Sequence, residues 1–339
     1  MFYNHTVAVV IPAYRVEKWI AEVITNLPGF VDRVFVVDDA SPDNLSQVVS
    51  DLNSPKIKLI RHEKNLGGPG GATKTGFRQA IEEDIDLVVK MDGDNQMDPK
   101  YLPGLLLPLV KNECDYTKGN RFSIVTDISN MPVIRRIGNL LLSLATKVVS
   151  GYWHVVDSQN GFFAIKGKVL KNIKLDWLDN SYFFENSMLI NLNIIEAKVS
   201  DVYIPARYLD EVSSMNILNI LFRFPYKLIK GLFGRIFFRY FYRDLSPVFV
   251  MLILGLTLLG GGGGVGCFAW YQSVFHKIDM SIGTFALGLI PILLGAQLLL
   301  NALILDIQQS PTGTHKRYDF SEKELKQIVD NNQSELPNR

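Results

Sequence analysis

Leu87-Val-Val-Lys-Met-Asp92-Gly93-Asp94-Asn-Gln96-Met-Asp98-Pro99 is a short apolar run that ends in a cluster of acids. The apolar part, Leu87 to Met91, reads as a buried strand, and the acids fall on the turn that follows it. The same pattern stands upstream, where Arg33 to Val37 runs into Asp38-Asp39-Ala40-Ser41. Val7 to Ile11 and Ile57 to Ile60 read as two further strands, and helical runs such as Val16 to Leu27 and Asn44 to Leu52 fall between the four. Strands alternating with helices predict an α/β domain with a parallel sheet covered by helices. In such sheets the ligand crevice lies beyond the carboxyl ends of the strands, where the strand order reverses, so both acidic turns are expected to face it.

Asp92 and Asp94 stand one small residue apart on their turn, so both carboxylates can reach one hard cation. Such oxygen ligands suit Mg²⁺ or Mn²⁺, which would also hold the oxygens of a diphosphate. A D-x-D is common by chance; its place after a buried strand and before Gln96 and Asp98-Pro99 makes it specific. Asp38 or Asp39 taken singly reads equally well as a helix cap. Asn65-Leu-Gly-Gly-Pro-Gly-Gly-Ala-Thr-Lys74-Thr-Gly76 is glycine-rich and precedes a helix, yet it matches neither a P-loop nor a G-x-G-x-x-G turn. An ATPase and an NAD enzyme are therefore disfavoured. Backbone N–H groups at that helix start, with Lys74, suit a nucleotide contact, and a plain flexible loop is the alternative.

The chain has 339 residues, more than one hydrophobic core usually holds, so a main domain of roughly 200 to 250 residues is expected with something beyond it. A net charge of +1 with 20% charged residues argues against a nucleic-acid binder. Cys114 and Cys267 are too few for a disulfide framework or a cysteine metal site. Val7 to Ile11 is the only short apolar run near the N-terminus and no basic region precedes it, so no signal peptide is expected and the first domain is expected in the cytosol.

The rest lies near the C-terminus. Leu245 to His276 and Met280 to Leu305 contain no Asp, Glu, Lys or Arg, and within them 247–271 and 282–305 each suffice to cross a bilayer, which takes about 20 residues. Two buried helices of a large soluble core are the alternative. The run Gly260 to Gly264 suits close helix–helix contact in a membrane, within the chain or in a homo-oligomer. Arg223, Lys227, Lys230, Arg235, Arg239 and Arg243 precede the first span, and Lys316, Arg317, Lys323 and Lys326 follow the second, which places both flanks and both termini in the cytosol. Aromatic residues between the first six basic ones give an amphipathic, interfacial composition. The basic residues form two stripes that one straight helix does not align, so a break at Gly231 and Gly234 is expected, with two short helices on the headgroups. The expected organisation is a cytosolic domain over 1–215, amphipathic helices over 216–244, a two-helix transmembrane hairpin over 245–307 and a cytosolic polar tail over 308–339.

Pro12-Ala13-Tyr14 with Glu17, Val37-Asp38-Asp39-Ala40-Ser41, Asn65 with its glycines, Asp92-Gly-Asp94-x-Gln96-x-Asp98-Pro99, Gly119-Asn-Arg121 and Asp157-x-x-x-Gly161-Phe162 occur in the order seen in family 2 glycosyltransferases of the GT-A fold. Residues 5 to 215 resemble most the subgroup that includes dolichyl-phosphate mannose synthases and polyprenyl-phosphate glycosyltransferases. The resemblance implies a GT-A domain in which Pro12, Ala13, Tyr14, Glu17 and Asp39 border the base and ribose of a nucleotide sugar. It implies that Asp92 and Asp94, with Gln96 nearby, hold Mg²⁺ or Mn²⁺ on the diphosphate. Arg121 and Arg135 match positions that meet phosphates, Asp157 matches an acid near the acceptor, and Glu185 matches an acid facing the site. For Arg135 a solvated helix start, and for Glu185 a buried acid satisfied by a nearby Arg, are alternatives. After Ile204-Pro-Ala-Arg207-Tyr208, relatives often carry a Ser-Lys pair where this chain has Glu211-Val-Ser213-Ser214-Met215, which leaves the phosphate role to Arg207 or to the basic residues after it.

The function so implied is inverting, metal-dependent transfer of one sugar from a UDP- or GDP-sugar to undecaprenyl or dolichyl phosphate at the cytosolic face of the inner membrane. A lipid phosphate monoester has a second pKa near 6, so it is already mostly dianionic at neutral pH and needs no strong base. Arginines and a cation are needed instead, to bring two phosphate-bearing molecules together. A processive polysaccharide synthase is the alternative enzyme, although no Q-x-x-R-W motif occurs, and a non-catalytic membrane scaffold that binds nucleotide sugars is a third reading.

Overall fold

The computed structural model describes residues 1–121, 143–205 and 217–335, and these fall into two compact units. The first comprises Met1–Leu232 and Pro311–Arg339, the second Phe233–Ser310.

The first unit is built on a mixed sheet of eight strands in the order β3-β2-β1-β4-β6-β5-β7-β8. The strands are β1 (Val7–Ala13), β2 (Arg33–Asp38), β3 (Ile57–Arg61), β4 (Leu87–Lys90), β5 (Tyr116–Asn120), β6 (Phe163–Lys166), β7 (Val199–Tyr203) and β8 (Thr312–Tyr318). Four of them stand where the apolar runs predict. Alternation along β1 sends Val7, Val9 and Ile11 to one face and Ala8 and Val10 to the other, and all five are fully buried because helices cover both faces. The first face packs on α1 (Glu17–Thr25), which follows β1, and on α4 (Leu102–Val110). The second packs on α3 (Pro69–Glu82) through Phe77 and on α5 (Phe184–Ile194) through Phe184 and Met188. Helix α2 (Leu45–Asp51) lies between β2 and β3 in the chain.

The sheet is not all parallel. β6 runs antiparallel to both its neighbours, with Lys90 opposite Phe163 on one side and Lys118 opposite Phe163 on the other. The start of β6 thus lies beside the carboxyl ends of β4 and β5. The residues just before it, Asp157 to Gly161, are thereby carried to the edge where Asp92 and Arg121 stand.

Beyond β7 the chain forms α6 (Ile217–Phe237), α7 (Pro247–His276), α8 (Ile282–Gln308) and, after β8, α9 (Glu322–Glu335). The residues expected to form a polar tail are an ordered part of the first unit. β8 pairs in parallel with β7, Asp201 opposite Arg317, and Leu325 and Ile328 of α9 are buried in the core beside α4. A helical boundary at Gly231 and Gly234 is also not found, since α6 runs through both. Gly231 serves a close approach instead: a Cβ there would lie 2.6 Å from Cδ1 of Ile190.

Basic residues around α6 are not all turned outward. Lys227 pairs with Asp179 at 2.6 Å. In the second unit Arg235 is buried in a two-pronged ion pair with Asp306, at 2.6 and 3.1 Å, and Arg239 donates to the carbonyl of Gln309 at 2.6 Å. Tyr226 and Tyr242 are exposed at 68% and 75%. Breaking the buried pair leaves a charge without its partner, which costs about 3 to 5 kcal/mol. An Arg235→Leu variant is therefore expected to melt well below the wild type in detergent, and Arg235→Leu with Asp306→Leu to recover most of the loss. Equal melting of all three would show the pair to be dispensable.

Helices α7 and α8 are each long and apolar enough to cross a membrane, with a mean hydropathy of 2.1, and they pack against each other as a hairpin. Their contact uses glycines spaced by seven residues. A Cβ at Gly262 would lie 2.7 Å from the carbonyl oxygen of Gly288, and one at Gly295 would lie 2.7 Å from that of Gly255. Of the run Gly260 to Gly264 only Gly262 makes this contact; a Cβ on any of the other four would meet nothing within 4 Å.

Candidate active site

The strand order reverses between β1, which leads to β2 and β3, and β4, which leads the other way, so the crevice opens beyond the carboxyl ends of these two strands. Pro12 and Ala13 end β1 and Ala13 is buried, while Tyr14 just beyond them is exposed with the Arg15 guanidinium over its ring at 5.3 Å. Asp39 follows β2, and its backbone N–H donates to the carbonyl of Ala13. The Asp39 carboxylate is buried and accepts from the Leu66 N–H at 3.1 Å, with His62 Nδ1 at 2.7 Å. Glu17 uses one carboxylate oxygen to accept the backbone N–H of Asn44 at 2.6 Å, and so caps the start of α2. Tyr14 and Arg15 are thus the side chains of this loop that are open to solvent; Glu17 and Asp39 mainly hold the loops that frame them.

The glycine-rich segment packs on a neighbouring loop. Its α3 start is docked on residues 179–181: the Gly71 N–H donates to the carbonyl of Asn180 at 3.0 Å, and a Cβ at Gly70 would lie 2.3 Å from the carbonyl oxygen of Asp179. Lys74 turns inward as well, its Nζ donating to the carbonyl of Leu178 at 3.0 Å, and burial pushes its pKa down. The Gly71 N–H and Lys74 Nζ both make their hydrogen bonds to this loop.

Asp92 and Asp94 lie on the turn after β4 and are partly exposed, as is Gln96, whose backbone N–H donates to Asp94 at 3.0 Å. Among the described residues no group of three or more His, Cys, Asp or Glu side chains is gathered for a metal. Two hard carboxylates on an accessible turn nevertheless fit Mg²⁺ or Mn²⁺, which keep several waters and take further ligands from a substrate diphosphate.

Beneath this turn lies a polar cluster. Lys90, the last residue of β4, is 1% exposed, and its ammonium touches Asp92 Oδ1 at 2.6 Å and stands 3.6 Å from Glu185 Oε1. Burial works to lower its pKa, but Asp92, Glu185 and Asp94 outweigh that effect and raise it, so the group stays charged. Glu185 is 5% exposed on α5. It is a buried acid satisfied by a lysine, rather than by an arginine, and does not stand open on the crevice. Lys118, at the end of β5, donates to the carbonyl of Asn160 at 2.6 Å, and its burial lowers its pKa to about 8.

At the ends of β5 and β6 the Asp157 carboxylate, 3% exposed, is gripped by the Arg121 guanidinium through Nε at 2.7 Å and Nη2 at 3.1 Å, and by the Arg121 N–H at 3.2 Å. A carboxylate so engaged orients its arginine and is poorly placed as a base. Arg135 and Arg207 lie outside the described residues.

Asp201 on β7 supports this pair. One of its oxygens accepts from the Val156 N–H at 3.0 Å and from Asn120 at 3.2 Å, the residues that precede Asp157 and Arg121. Burial raises its pKa to about 7. Nearby, half-buried His154 faces the carbonyl of Val199 at 3.0 Å, and its partial burial lowers its pKa to about 4. The two act in opposite senses on stability. Folded Asp201 binds a proton between about pH 4 and 7 that the unfolded chain does not, so it stabilises on acidification. Folded His154 stays neutral between about pH 4 and 6.5 where the unfolded chain is protonated, so it destabilises. An Asp201→Asn variant removes the first effect and is expected to lose stability, relative to wild type, as pH falls from 7 to 5. A wild-type minus variant difference in melting temperature that does not change over this range would contradict it.

Lys90, Lys118 and Asp201 were not singled out by motif or spacing, although each is an ionisable residue inside a strand whose neighbours are mostly buried, which is the signal that could have found them.

Residues 8–174 match the family described as glycosyl transferase family 2. A UDP-N-acetylglucosamine–dolichyl-phosphate N-acetylglucosaminyltransferase of Methanococcus voltae is 31% identical over 249 residues, which cover 67% of this chain and 96% of that protein. The chain belongs to glycosyltransferase family 2. It is therefore an enzyme of the glycosyltransferase class. A second relative, an undecaprenyl-phosphate mannosyltransferase of Micrococcus luteus, is 28% identical over 58% of this chain and 81% of its own. The mixed sheet is GT-A-like. Glucosyl-3-phosphoglycerate synthase of Mycobacterium tuberculosis, solved with Mn²⁺, UDP and glucosyl-3-phosphoglycerate, shares it at a TM-score of 0.50 and 21% identity, over 68% of this chain and 80% of that one. The family 2 match covers β1 to β6 and both acidic turns; β7, β8 and the apolar hairpin lie outside residues 8–174.

Proposed function

We propose that this glycosyltransferase moves a single sugar from a nucleotide sugar, a UDP- or GDP-sugar, to a polyprenyl phosphate at the cytosolic face of the inner membrane, inverting the anomeric centre, with Mg²⁺ or Mn²⁺ bound at Asp92, Asp94 and Gln96. The observation that carries the reading is the Arg121–Asp157 fork at the same sheet edge as the Asp92-Gly93-Asp94 turn. It offers an oriented guanidinium, suited to an acceptor phosphate, beside a turn suited to a donor diphosphate. Relatives named for dolichyl and undecaprenyl phosphate support that acceptor. Structural neighbours solved with Mn²⁺ or Mg²⁺ and UDP support the donor and the metal.

In the reaction an acceptor phosphate oxygen attacks the anomeric carbon as the bond from that carbon to the diphosphate oxygen breaks, and the electron pair leaves with the nucleoside diphosphate. The acceptor is already mostly dianionic near neutral pH, so no proton has to be removed. Arg121 draws the acceptor phosphate in against the repulsion of the donor, and Asp157 keeps that guanidinium aimed. Tyr14 at the end of β1 stands where it can border the nucleotide base. A bound divalent cation supplies Lewis-acid stabilisation of the departing diphosphate.

The two apolar helices fit a membrane hairpin whose flanks share one side. The pairing of β8 with β7 supports this, because it joins residues after the hairpin to a sheet formed by residues before it. Basic residues after the second helix, Lys316 and Arg317 among them, suit the cytosolic side. Full-length protein, Mg²⁺ or Mn²⁺, a panel of labelled nucleotide sugars and either undecaprenyl or dolichyl phosphate are expected to yield a lipid carrying one sugar. A polymer, or no transfer from any donor, would refute the reading.

A further inference from the structure

We propose that Lys90 is a positioning residue for the divalent cation: anchored in the core by Glu185, its ammonium fixes the Asp92 carboxylate against the loop that carries Asp157. The proposal rests on the metal reading above and assigns a part to residues that the expected ligand set omits.

A carboxylate on a turn rotates freely, and a metal ligand that rotates must be ordered when the ion binds. Here Asp92 is held from two sides. Its Oδ1 accepts the Lys90 ammonium at 2.6 Å. Its Oδ2 faces Gly161, where an added Cβ would lie 2.8 Å from that oxygen and 2.3 Å from Lys90 Nζ. No side chain fits at Gly161 without displacing the contact, so Gly161, at the end of the stretch that begins at Asp157, lies directly against the Lys90–Asp92 pair. Lys118 reinforces this contact by donating to the carbonyl of Asn160, next to Gly161. The donor turn and the acceptor loop are therefore registered through one buried ammonium.

An ammonium beside a metal ligand could instead repel the cation. Two observations weigh against that. Lys90 is fully buried and cannot follow the ion, and Glu185 Oε1 at 3.6 Å balances its charge within the core. What remains toward the turn is orientation, the role of an outer-shell partner, whose loss typically weakens metal affinity about 10- to 100-fold.

Mn²⁺ binding to the full-length protein with UDP, read by electron paramagnetic resonance, tests the sign. Lys90→Met keeps the side-chain length without the charge, and Lys90→Met with Glu185→Gln also removes the stranded acid, so the second variant guards against misfolding. Both are expected to bind Mn²⁺ about 10- to 100-fold more weakly, with transfer recovering as Mn²⁺ is raised and metal-free UDP affinity unchanged. Unchanged or tighter Mn²⁺ binding in either variant, at a wild-type melting temperature, would overturn the positioning role. Wild-type protein that binds no Mn²⁺ with UDP would overturn the metal reading itself, and the two failures are thus told apart.

Discussion

The double variant Asp92→Asn, Asp94→Asn is expected to lose sugar transfer by at least about 10³-fold while keeping its melting temperature and its membrane attachment. Asn keeps the size of Asp but removes the charge that a hard cation requires. Loss of a single pre-organised donor to developing charge costs about 10²- to 10³-fold in enzymes, and here a whole charge-neutralising centre is lost. Stability should be spared, because both side chains are partly exposed on a turn and Lys90 keeps Glu185 as a counter-ion. Transfer assays with detergent-purified protein, paired with melting curves, check this. Wild-type turnover by the double variant would remove the cation from the mechanism.

Replacing Arg121 by Ala is expected to lower transfer by about 10²- to 10³-fold, the cost of one oriented charge at a reacting phosphate. The loss should appear largely in the KM for the lipid phosphate if Arg121 acts on the acceptor, and in kcat if it acts on the departing diphosphate. Asp157→Asn should fall nearly as far, although Asp157 need not touch the substrate. It accepts both prongs of the guanidinium and the Arg121 N–H, so its amide analogue cannot hold the fork. Because the two act as a unit, Arg121→Ala with Asp157→Asn should be little worse than either alone. Fully multiplicative losses would show that Asp157 works independently, as a base or a separate acceptor contact.

The sequence made some parts of this molecule plain and concealed others for physical reasons. β1, β2 and β4 are apolar runs because helices bury them on both faces, whereas β3 is a half-buried edge strand, and the expected limits of all four agree with the structure to within two residues. β5 and β8 carry little apolar signal: Tyr116-Thr-Lys-Gly-Asn120 holds site groups at its end, and Thr312-Gly-Thr-His-Lys-Arg-Tyr318 is a mostly exposed edge. Glycine at Gly231 permits close packing rather than a bend, and Gly70 likewise sits at a close approach, to residue 179. The two basic stripes of 223–243 do not mark a break at Gly231 and Gly234, through which α6 is continuous; Lys227 meets Asp179, and Arg235 meets Asp306 at the foot of the hairpin. Asp92, Asp94, Arg121 and Asp157 were legible through their order along the chain. Lys90 and Asp201 were not, because their significance comes from neighbours distant in sequence.

The catalytic unit is interrupted, and that has a consequence for how it is made. Seven strands leave the ribosome first, then two long apolar helices, and only afterwards Thr312–Tyr318, which hydrogen-bonds to β7, and the helix that buries Leu325 and Ile328. Until that last segment emerges, one edge of the sheet and part of its core stay uncovered. Completion of the catalytic sheet thereby follows synthesis of the apolar hairpin, and a nascent chain stalled in the hairpin would carry an unfinished sheet.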